Sequence, residues 1–215
     1  FVEEVKAGKV DGVIFYNCNP VYDHPMGADL EKGLKGLALS VSTSYTPDET
    51  ASASGYLAPD HHYLESWNDF EPKPGHFSLS QPAITPLFKS RQAQESFLTW
   101  AGEQNVDYFT FVSDNWKKWL FETQSAEVTF QAFWDKCLYN GVYEFMSDAG
   151  SLTFSSHAAE ALAAVTSGSK PSDAFEVVIY ESYGIGNGSM ANNPLLQELP
   201  DPITKSTWDH YVTVS

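Results

Sequence analysis

Hydrophobic and polar positions near the start of the chain predict a parallel βαβ unit. Val13, Ile14 and Phe15 form a short apolar run between a glycine and a polar, proline-containing loop, which is typical of a buried strand. GADLEKGLKGL has helical spacing with a glycine near its end, and LALSV predicts a second strand. Since ligands of parallel sheets bind at the carboxyl ends of the strands, we expect the loops at residues 17–20 and 43–46 to lie side by side over one crevice.

The middle of the chain predicts a long loop followed by three helices. Periodicity fades between residues 56 and 86, which are rich in proline and aromatic residues, and a loop of this length is normally functional or packed over something. SRQAQESFLTWAGEQ then predicts a helix with Ser90 as its N-cap. DNWKKWLFE and TFQAFWDKCLYNGVYEF predict two more helices with aromatic faces. The aromatic residues expected in the core are Trp116, Trp119, Phe133 and Trp134.

The last third of the chain predicts a helix, a linker and a change of fold. SSHAAEALAAVTSGSKP is an alanine-rich helix that runs into a Gly, Ser, Lys and Pro linker, which is the composition of a domain boundary. We therefore predict an α/β domain at residues 1–170 and the truncated start of a β-rich, dinucleotide-binding-like domain at residues 171–215, where FEVVIYES forms a strand. The expected fold class is α/β, a three-layer Rossmann-like unit with a mainly parallel sheet.

The first residues also predict a piece of a longer protein. FVEEVKAGKV has the pattern of an amphipathic helix already under way, and Phe1 is not a start methionine. The sequence does not begin with the charged segment and following apolar segment of a signal peptide. No apolar run approaches the roughly 20 residues that span a bilayer, so no membrane span is expected.

Composition narrows the classes of partner. The chain has 215 residues, of which 42% are hydrophobic and 14% aromatic, so it can build a core. Its 28 Asp and Glu residues against 12 Lys and Arg residues give a net charge of −16, which repels a phosphate backbone and argues against a nucleic-acid partner. Two interpretations of the acidic surface stay open: it keeps the chain soluble, or it attracts a basic protein.

Candidate metal ligands are few. Cys18 and Cys137 are far apart and belong to no Cys-x-x-Cys pair, so an iron–sulfur cluster or structural zinc site within this chain would lack its ligands. In PDHHYLESW, a helix would place His61 and Glu65 on one face, with Asp60 or His62 as a third ligand; the alternative is that these are hydrogen-bonded loop residues. The residues alone therefore indicate no metal site and no catalytic centre.

Several segments together resemble a known family. VDGVIFYNCNP, LALSVSTSYTPDETASASGYLAPDHHYLESW and PKPGHFSLSQP follow one another in the order seen in the molybdopterin oxidoreductases, the dimethyl sulfoxide reductase-like family. LAPDHHYLESWNDFEPKPGHFSLSQPAITPLFKSRQAQ and NNPLLQELPDPITKSTWDHYVTVS are similar to the iron–sulfur, molybdopterin-oxidoreductase-like subunit of alternative complex III, the quinol:cytochrome c oxidoreductase of Bacteroidetes and other bacteria. The resemblance covers most of the chain and is weakest at residues 107–170.

The resemblance also implies which residues occupy the family's cofactor-binding positions. They are Asn17, Cys18, Asn19, Pro20, Ser44, Glu49, Thr50 and His76.

Several of these residues depart from the family pattern. Relatives that bind the cofactor have Gly-Glu where this chain has Asn17 and Cys18, and commonly an aspartate for the guanine where it has Ser44, which lacks two carboxylate oxygens. Relatives have an asparagine and then Gly-Arg where this chain has Pro72 and, after Gly75, His76. An anionic pyrophosphate needs donors and positive charge, and these loops supply carboxylates.

Two functions follow from the resemblance. In the first, the chain is a cofactor-free scaffold in a periplasmic subunit whose iron–sulfur clusters lie elsewhere in the parent chain and whose partners include a c-type cytochrome and quinol-binding membrane subunits. In the second, it grips the guanosine and phosphate part of molybdopterin guanine dinucleotide in a molybdenum or tungsten bis-pterin enzyme. A metal hydrolase that uses His61, His62 and Glu65 is a third hypothesis with an incomplete ligand set.

Overall fold

The chain forms two compact units, Phe1–Asp148 and Ala149–Ser215, in a computed structural model. The structure describes residues 1–104, 106–146, 150, 151, 153, 157–167, 177–208 and 210–214. The predicted boundary between residues 170 and 171 lies outside these residues and stays a prediction.

The first unit begins with a helix and a parallel three-stranded sheet, sheet A. Its elements are α1 (Val2–Lys6), β1 (Gly12–Phe15), α2 (Pro20–Asp23), α3 (Gly27–Leu34), β2 (Leu39–Ser42), α4 (Glu49–Ala53) and β3 (Tyr56–Leu57). The strand order is β1-β2-β3, and both pairings are parallel. The predicted strand, helix and strand at the start of the chain are therefore confirmed, and the fold is a mixture of helices and strands with a parallel sheet.

One face of sheet A carries the first hydrophobic core. Val2 and Val5 of α1 and Leu30 and Leu34 of α3 bury against Phe15 of β1. These helical positions are three or four residues apart, so one stripe of each short helix faces the sheet.

The opposite face of sheet A is only partly covered by the described residues. Register places Ile14, Val41 and Tyr56 on this face, where Val41 is 7% exposed but Ile14 and Tyr56 are 46% and 65% exposed. Parallel sheets are normally covered on both faces. The third layer of the expected fold thus stays a prediction.

A second, antiparallel sheet follows where the sequence predicted a long loop. Sheet B contains β4 (Asn68–Lys73), β5 (His76–Ser80) and β6 (Val142–Glu144), in the order β4-β5-β6. Gly75, at φ 77°, makes the turn between the first two strands. Pro72 lies in the edge strand β4, where the register shifts between Phe70 and Lys73 and a missing N–H is tolerated. The prediction of a loop at residues 56–86 is therefore wrong for residues 68–80, which form this hairpin.

Three helices pack around sheet B or lie beside it. They are α5 (Ala93–Trp100), α6 (Tyr108–Asn115) and α7 (Phe130–Asn140). Ser90 is not the N-cap of α5, because that helix begins at Ala93, and the carboxylate of Asp60 accepts the Ala93 N–H instead. The predicted last helix is also shorter than expected, because Gly141 ends it in the left-handed conformation and the chain enters β6.

The second hydrophobic core is aromatic. Its buried residues are Val112, Trp116, Leu120, Phe133, Trp134 and Cys137. Three of the four predicted core aromatics are thus confirmed, but Trp119 is 63% exposed. Residues Trp116–Leu120 form a π-helical turn. Because this turn is wider than an α-helical one, a residue three positions after Trp116 leaves the buried face.

The described residues of the second unit include the helices α8 (His157–Ser167) and α9 (Pro194–Gln197). Helix α8 confirms the predicted alanine-rich helix. FEVVIYES is not a strand over its described residues 177–182, where Ser182 makes only an isolated bridge to Gly186. The start of a β-rich module stays a prediction. Within the residues that the structure describes, no helix is long and apolar enough to cross a membrane.

The close approach of α3 to the segment before it gives a test of the sheet A core. A Cβ added at Gly27 would lie 2.1 Å from the Val21 carbonyl oxygen, so we expect Gly27→Ala to destabilise the fold by about 1–3 kcal/mol or more. Urea unfolding followed by circular dichroism measures this change.

The matched control is Gly36→Ala, whose Cβ would meet only the Gly33 carbonyl oxygen at 3.5 Å. We expect its free energy of unfolding to stay within about 1 kcal/mol of the parent value. Equal effects of the two substitutions would contradict this packing.

Candidate functional site

The carboxyl edge of sheet A brings most of the predicted site residues together. The loop after β1 contains Asn17, Cys18 and Asn19, Pro20 begins α2, and the loop after β2 contains Ser44. Thr43 joins these loops, because its N–H and its Oγ1 both donate to the Phe15 carbonyl oxygen, at 3.0 and 3.2 Å. The expectation that the two loops lie side by side is confirmed.

Asn19 makes the central group of hydrogen bonds at this edge, which we call the Asn19 hub. Its Oδ1 accepts the Thr50 N–H at 3.1 Å and the Thr50 hydroxyl at 2.7 Å, and its Nδ2 donates to Glu49 Oε2 at 2.8 Å. Thr50 is fully buried, and its Oγ1 in turn accepts the Val21 N–H at 3.0 Å. The carboxamide of Asn19 therefore ties the loop after β1 to the start of α4.

Helix α4 begins beside two of the predicted site residues, Glu49 and Thr50. Its N-cap is Asp48, whose Oδ1 accepts the Ala51 N–H at 2.7 Å. Sequence could have indicated it, since aspartate directly before ETASA is an N-cap signal. Glu49 is exposed. The hydrogen bond from the Asn19 side chain is the main cause that lowers the pKa of Glu49, and a hydrogen bond from the Glu49 backbone lowers it further.

The remaining loop residues have local roles. Asn17 adopts the left-handed conformation with φ 51°, which asparagine tolerates better than most residues. The N–H of Ser44 donates to Ser42 Oγ, and its own Oγ accepts the Thr46 N–H at 3.4 Å. Partial burial raises the pKa of the Cys18 thiol, as do nearby carboxylates, so the reactive thiolate is disfavoured. None of these side chains has the arrangement of an activated nucleophile.

His76 is the one predicted site residue that the structure does not bring to this edge. It lies at the start of β5 in sheet B, opposite Glu144 of β6, and its Nδ1 is hydrogen-bonded to the Glu144 carboxylate. The resemblance placed it among the cofactor-binding positions, with the residues of the loops after β1 and β2. The hairpin between β4 and β5 carries it into the second sheet instead.

The histidines of PDHHYLESW do not converge on a metal. The His61 ring donates through Nε2 to the Ser90 carbonyl oxygen at 3.1 Å, while His62 is the N-cap of a 3₁₀ turn and its Nδ1 accepts the Leu64 N–H. Glu65 accepts N–H groups from His62 and Leu87, which lowers its pKa. Over the described residues, no group of three or more His, Cys, Asp or Glu side chains could hold a metal ion.

Asp60 is a hydrogen-bonded loop residue, which was the alternative interpretation of PDHHYLESW. It follows β3, and its Oδ1 accepts the N–H groups of His61 and Ala93, both at 2.7 Å. Burial raises its pKa above the ordinary 3.8, although these two bonds and the neighbouring His61 lower it. This carboxylate fastens the amino end of α5 to the carboxyl edge of sheet A.

The carboxyl edge is acidic. Asp23, Asp48, Glu49 and Asp60 lie in the loops and helix ends at this edge. The two lysines between β1 and β2 lie in α3 or directly after it, near the point where the chain returns to the start of β2. Arg91, whose N–H donates to the Pro59 carbonyl oxygen, is a cation beside the loop after β3, but the charged side chains described in the loops after β1 and β2 are carboxylates. The described residues of these two loops therefore do not fit the pyrophosphate of a dinucleotide cofactor.

The fold and this edge define an α/β protein whose loops bond mainly to one another. No family model matches the chain, and no curated protein matches it either.

The Asn19 hub can be tested by substitution. We expect Asn19→Ala to destabilise the protein by roughly 2–4 kcal/mol, because it removes three hydrogen bonds and leaves buried donors of Thr50 unpaired. Urea unfolding measures the loss. Asn140→Ala, at an exposed position at the end of α7, is the control and should stay within about 0.5 kcal/mol. Unchanged stability together with lost binding of a guanosine nucleotide would assign Asn19 to a ligand instead.

Asp60 gives a test that depends on pH. Since its pKa is raised in the folded state, its contribution to stability is fully present below pH 3.8 and is lost as the pH rises through the folded pKa. Asp60→Asn keeps the Oδ1 acceptor without a charge to bury. We therefore expect this variant to be at least as stable as the parent at pH 7 and to lose that advantage below pH 3.8.

The control for this pair is Asp60→Ala, which removes the acceptor altogether. We expect it to lose about 1–3 kcal/mol at pH 7, because the N–H groups of His61 and Ala93 lose their partner. Urea unfolding at several pH values follows all three proteins. A strongly destabilised Asp60→Asn protein at pH 7 would show that the charge itself is needed.

Proposed function

We propose that this chain is part of a molybdopterin oxidoreductase-like subunit of a respiratory quinol:cytochrome c oxidoreductase and acts there as a cofactor-free structural scaffold. The observation that carries this proposal is the Asn19 hub. Both ends of its carboxamide bond to Thr50 and Glu49, so the loop at the carboxyl edge uses its polar groups to hold the fold. A ligand would have to compete with these bonds.

Charge supports the scaffold as well. A molybdopterin guanine dinucleotide brings a pyrophosphate, and Asp48 and Glu49 lie next to the loop that would receive it. Ser44 uses its hydroxyl to accept the Thr46 N–H, and it offers no carboxylate to a guanine edge. Both features support loops that bind neither the pyrophosphate nor the guanine of a dinucleotide.

The resemblance supplies the partners of this proposal. The scaffold would assemble with a c-type cytochrome and with quinol-binding membrane subunits on the periplasmic side of the inner membrane. Iron–sulfur clusters would lie elsewhere in the parent chain and would carry the electrons. The net charge of −16 suits a protein partner and disfavours a nucleic acid.

One observation favours the alternative, in which the chain is the guanosine- and phosphate-binding part of an active molybdenum or tungsten bis-pterin oxidoreductase. Asn17, Asn19 and Ser44 meet at the carboxyl edge of a parallel sheet, which is where open α/β sheets bind ligands. The left-handed Asn17 also gives this loop a sharp turn. The same geometry thus fits a loop that keeps a ligand-binding shape.

Metal and pterin analysis separates the two functions. The full-length parent protein is purified with its subunits, and its molybdenum, tungsten, iron and released pterin are measured per chain. We expect iron without molybdenum, tungsten or pterin, because the loops do not fit the cofactor. A known molybdenum enzyme expressed in the same cells controls for cofactor supply. About one metal and two pterins per chain would overturn the scaffold and establish the alternative.

A further inference from the structure

The described residues of the first unit form two hydrophobic cores that share no residue. One core lies between sheet A, α1 and α3 and includes Phe15 and Leu30. The other lies between sheet B, α6 and α7 and includes Trp116 and Phe133. We call residues 1–62 the sheet A lobe and residues 66–86 with 106–146 the sheet B lobe. Helix α5 lies between them, and the burial that stabilises each lobe is internal to that lobe.

The contacts between the lobes are mostly polar and converge on residues 90–94, which are the first turn of α5 and the segment directly before it. Gln94 Nε2 donates to the Tyr16 hydroxyl of the sheet A lobe at 2.7 Å and to Asn68 Oδ1 of the sheet B lobe at 3.1 Å. Gln92 Nε2 donates to the Trp67 carbonyl oxygen at 2.7 Å. Asp60 accepts the N–H of the first helical residue, as described above. We call the region of contact between the lobes, which includes these bonds, the seam.

The apolar part of the seam is small. Phe97 of α5 meets the Tyr16 ring edge-on with 5.5 Å between the ring centroids, and Ala93 is fully buried. In the part of the chain that the structure describes, no salt bridge joins the two lobes. Polar interfaces of this kind between separately packed cores permit relative motion.

The closed seam also contains an unsatisfied group. Gln94 Oε1 is buried without a hydrogen-bond partner among the described residues, although both bonds of its Nε2 are made. Burying an acceptor in this way opposes closure, because the oxygen would be hydrated if the lobes separated. The two hydrogen bonds of Gln94 Nε2 therefore stabilise the closed seam, whereas the unpaired Oε1 destabilises it.

We propose that the first unit opens along this seam as two bodies, the sheet A lobe and the sheet B lobe, while both hydrophobic cores stay folded. Opening releases α5 from Tyr16 and Asp60 and uncovers that side of the carboxyl edge of sheet A. This motion does not depend on whether the edge binds a ligand. The motion is a conformational change within the folded protein. Its rate is set by this partial opening and not by global unfolding.

Amide hydrogen exchange on the full chain tests the proposal. The seam amides are those of Ala93, which donates to Asp60, and Arg91, which donates to the Pro59 carbonyl oxygen, and the core amides are those of Leu34 in α3 and Cys137 in α7. We expect the seam amides to exchange at least about tenfold faster than the core amides, with a weaker dependence on denaturant. A common rate and a common denaturant dependence for all four would overturn the proposal.

Gln94→Ala sharpens the test. It removes the bonds to Tyr16 and Asn68, so we expect exchange of the seam amides to accelerate by about tenfold while the core amides keep their rates. Gln124→Ala is the matched control, because Gln124 also makes two bonds through Nε2, to Phe121 and Glu127, but both lie inside the sheet B lobe. It should leave the seam amides unchanged.

Two outcomes with Gln94→Ala would overturn the proposal. They are no acceleration at the seam, or an equal acceleration of seam and core amides, which would mean that the unit opens only by global unfolding. If this variant does not fold, the comparison of seam and core amides in the unmodified protein decides the question by itself.

Discussion

The carboxamide of Asn19 is the contact on which the carboxyl edge of sheet A depends. Thr50 is fully buried, so its N–H and hydroxyl need partners inside the protein, and Asn19 accepts from both. Thr50 then satisfies the Val21 N–H at the start of α2. The loop after β1, helix α2 and helix α4 are therefore positioned by one group of bonds, and none of them can move outward without exposing unpaired donors.

This arrangement explains how one loop can suggest two functions. Its position at the end of a parallel strand, with Asn17 in the left-handed conformation, is the geometry of a ligand-binding loop. Its polar atoms, however, bond to the chain itself, and the nearest charges include Asp48 and Glu49. The shape of this loop does not by itself make it a binding site, because the shape follows from the sheet topology whereas binding needs free hydrogen-bond donors.

Local patterns predicted what depends on neighbours in sequence. The strand at Val13 and helix α3 could be predicted from periodicity, and parallel topology then placed residues 17–20 beside Ser44. The bonds of the site could not be predicted, since Asn19 and Thr50 are 31 residues apart and Asp60 and Ala93 are 33 apart. The hairpin that carries His76 into sheet B was missed because its prolines indicated a loop, although NDFE and HFSLS flank a Pro-Gly turn.

The position of α5 connects the site to the architecture of the whole unit. Asp60 at the end of β3 and Tyr16 at the end of β1 both bond to its first turn, and Gln94 continues the connection to sheet B. The carboxyl edge therefore meets the second lobe through side-chain hydrogen bonds and little apolar area. Because hydrogen bonds stabilise less than the burial of two aromatic and aliphatic cores, we expect the junction to open more easily than either core, and it lies beside the loops that sheet topology makes available for binding.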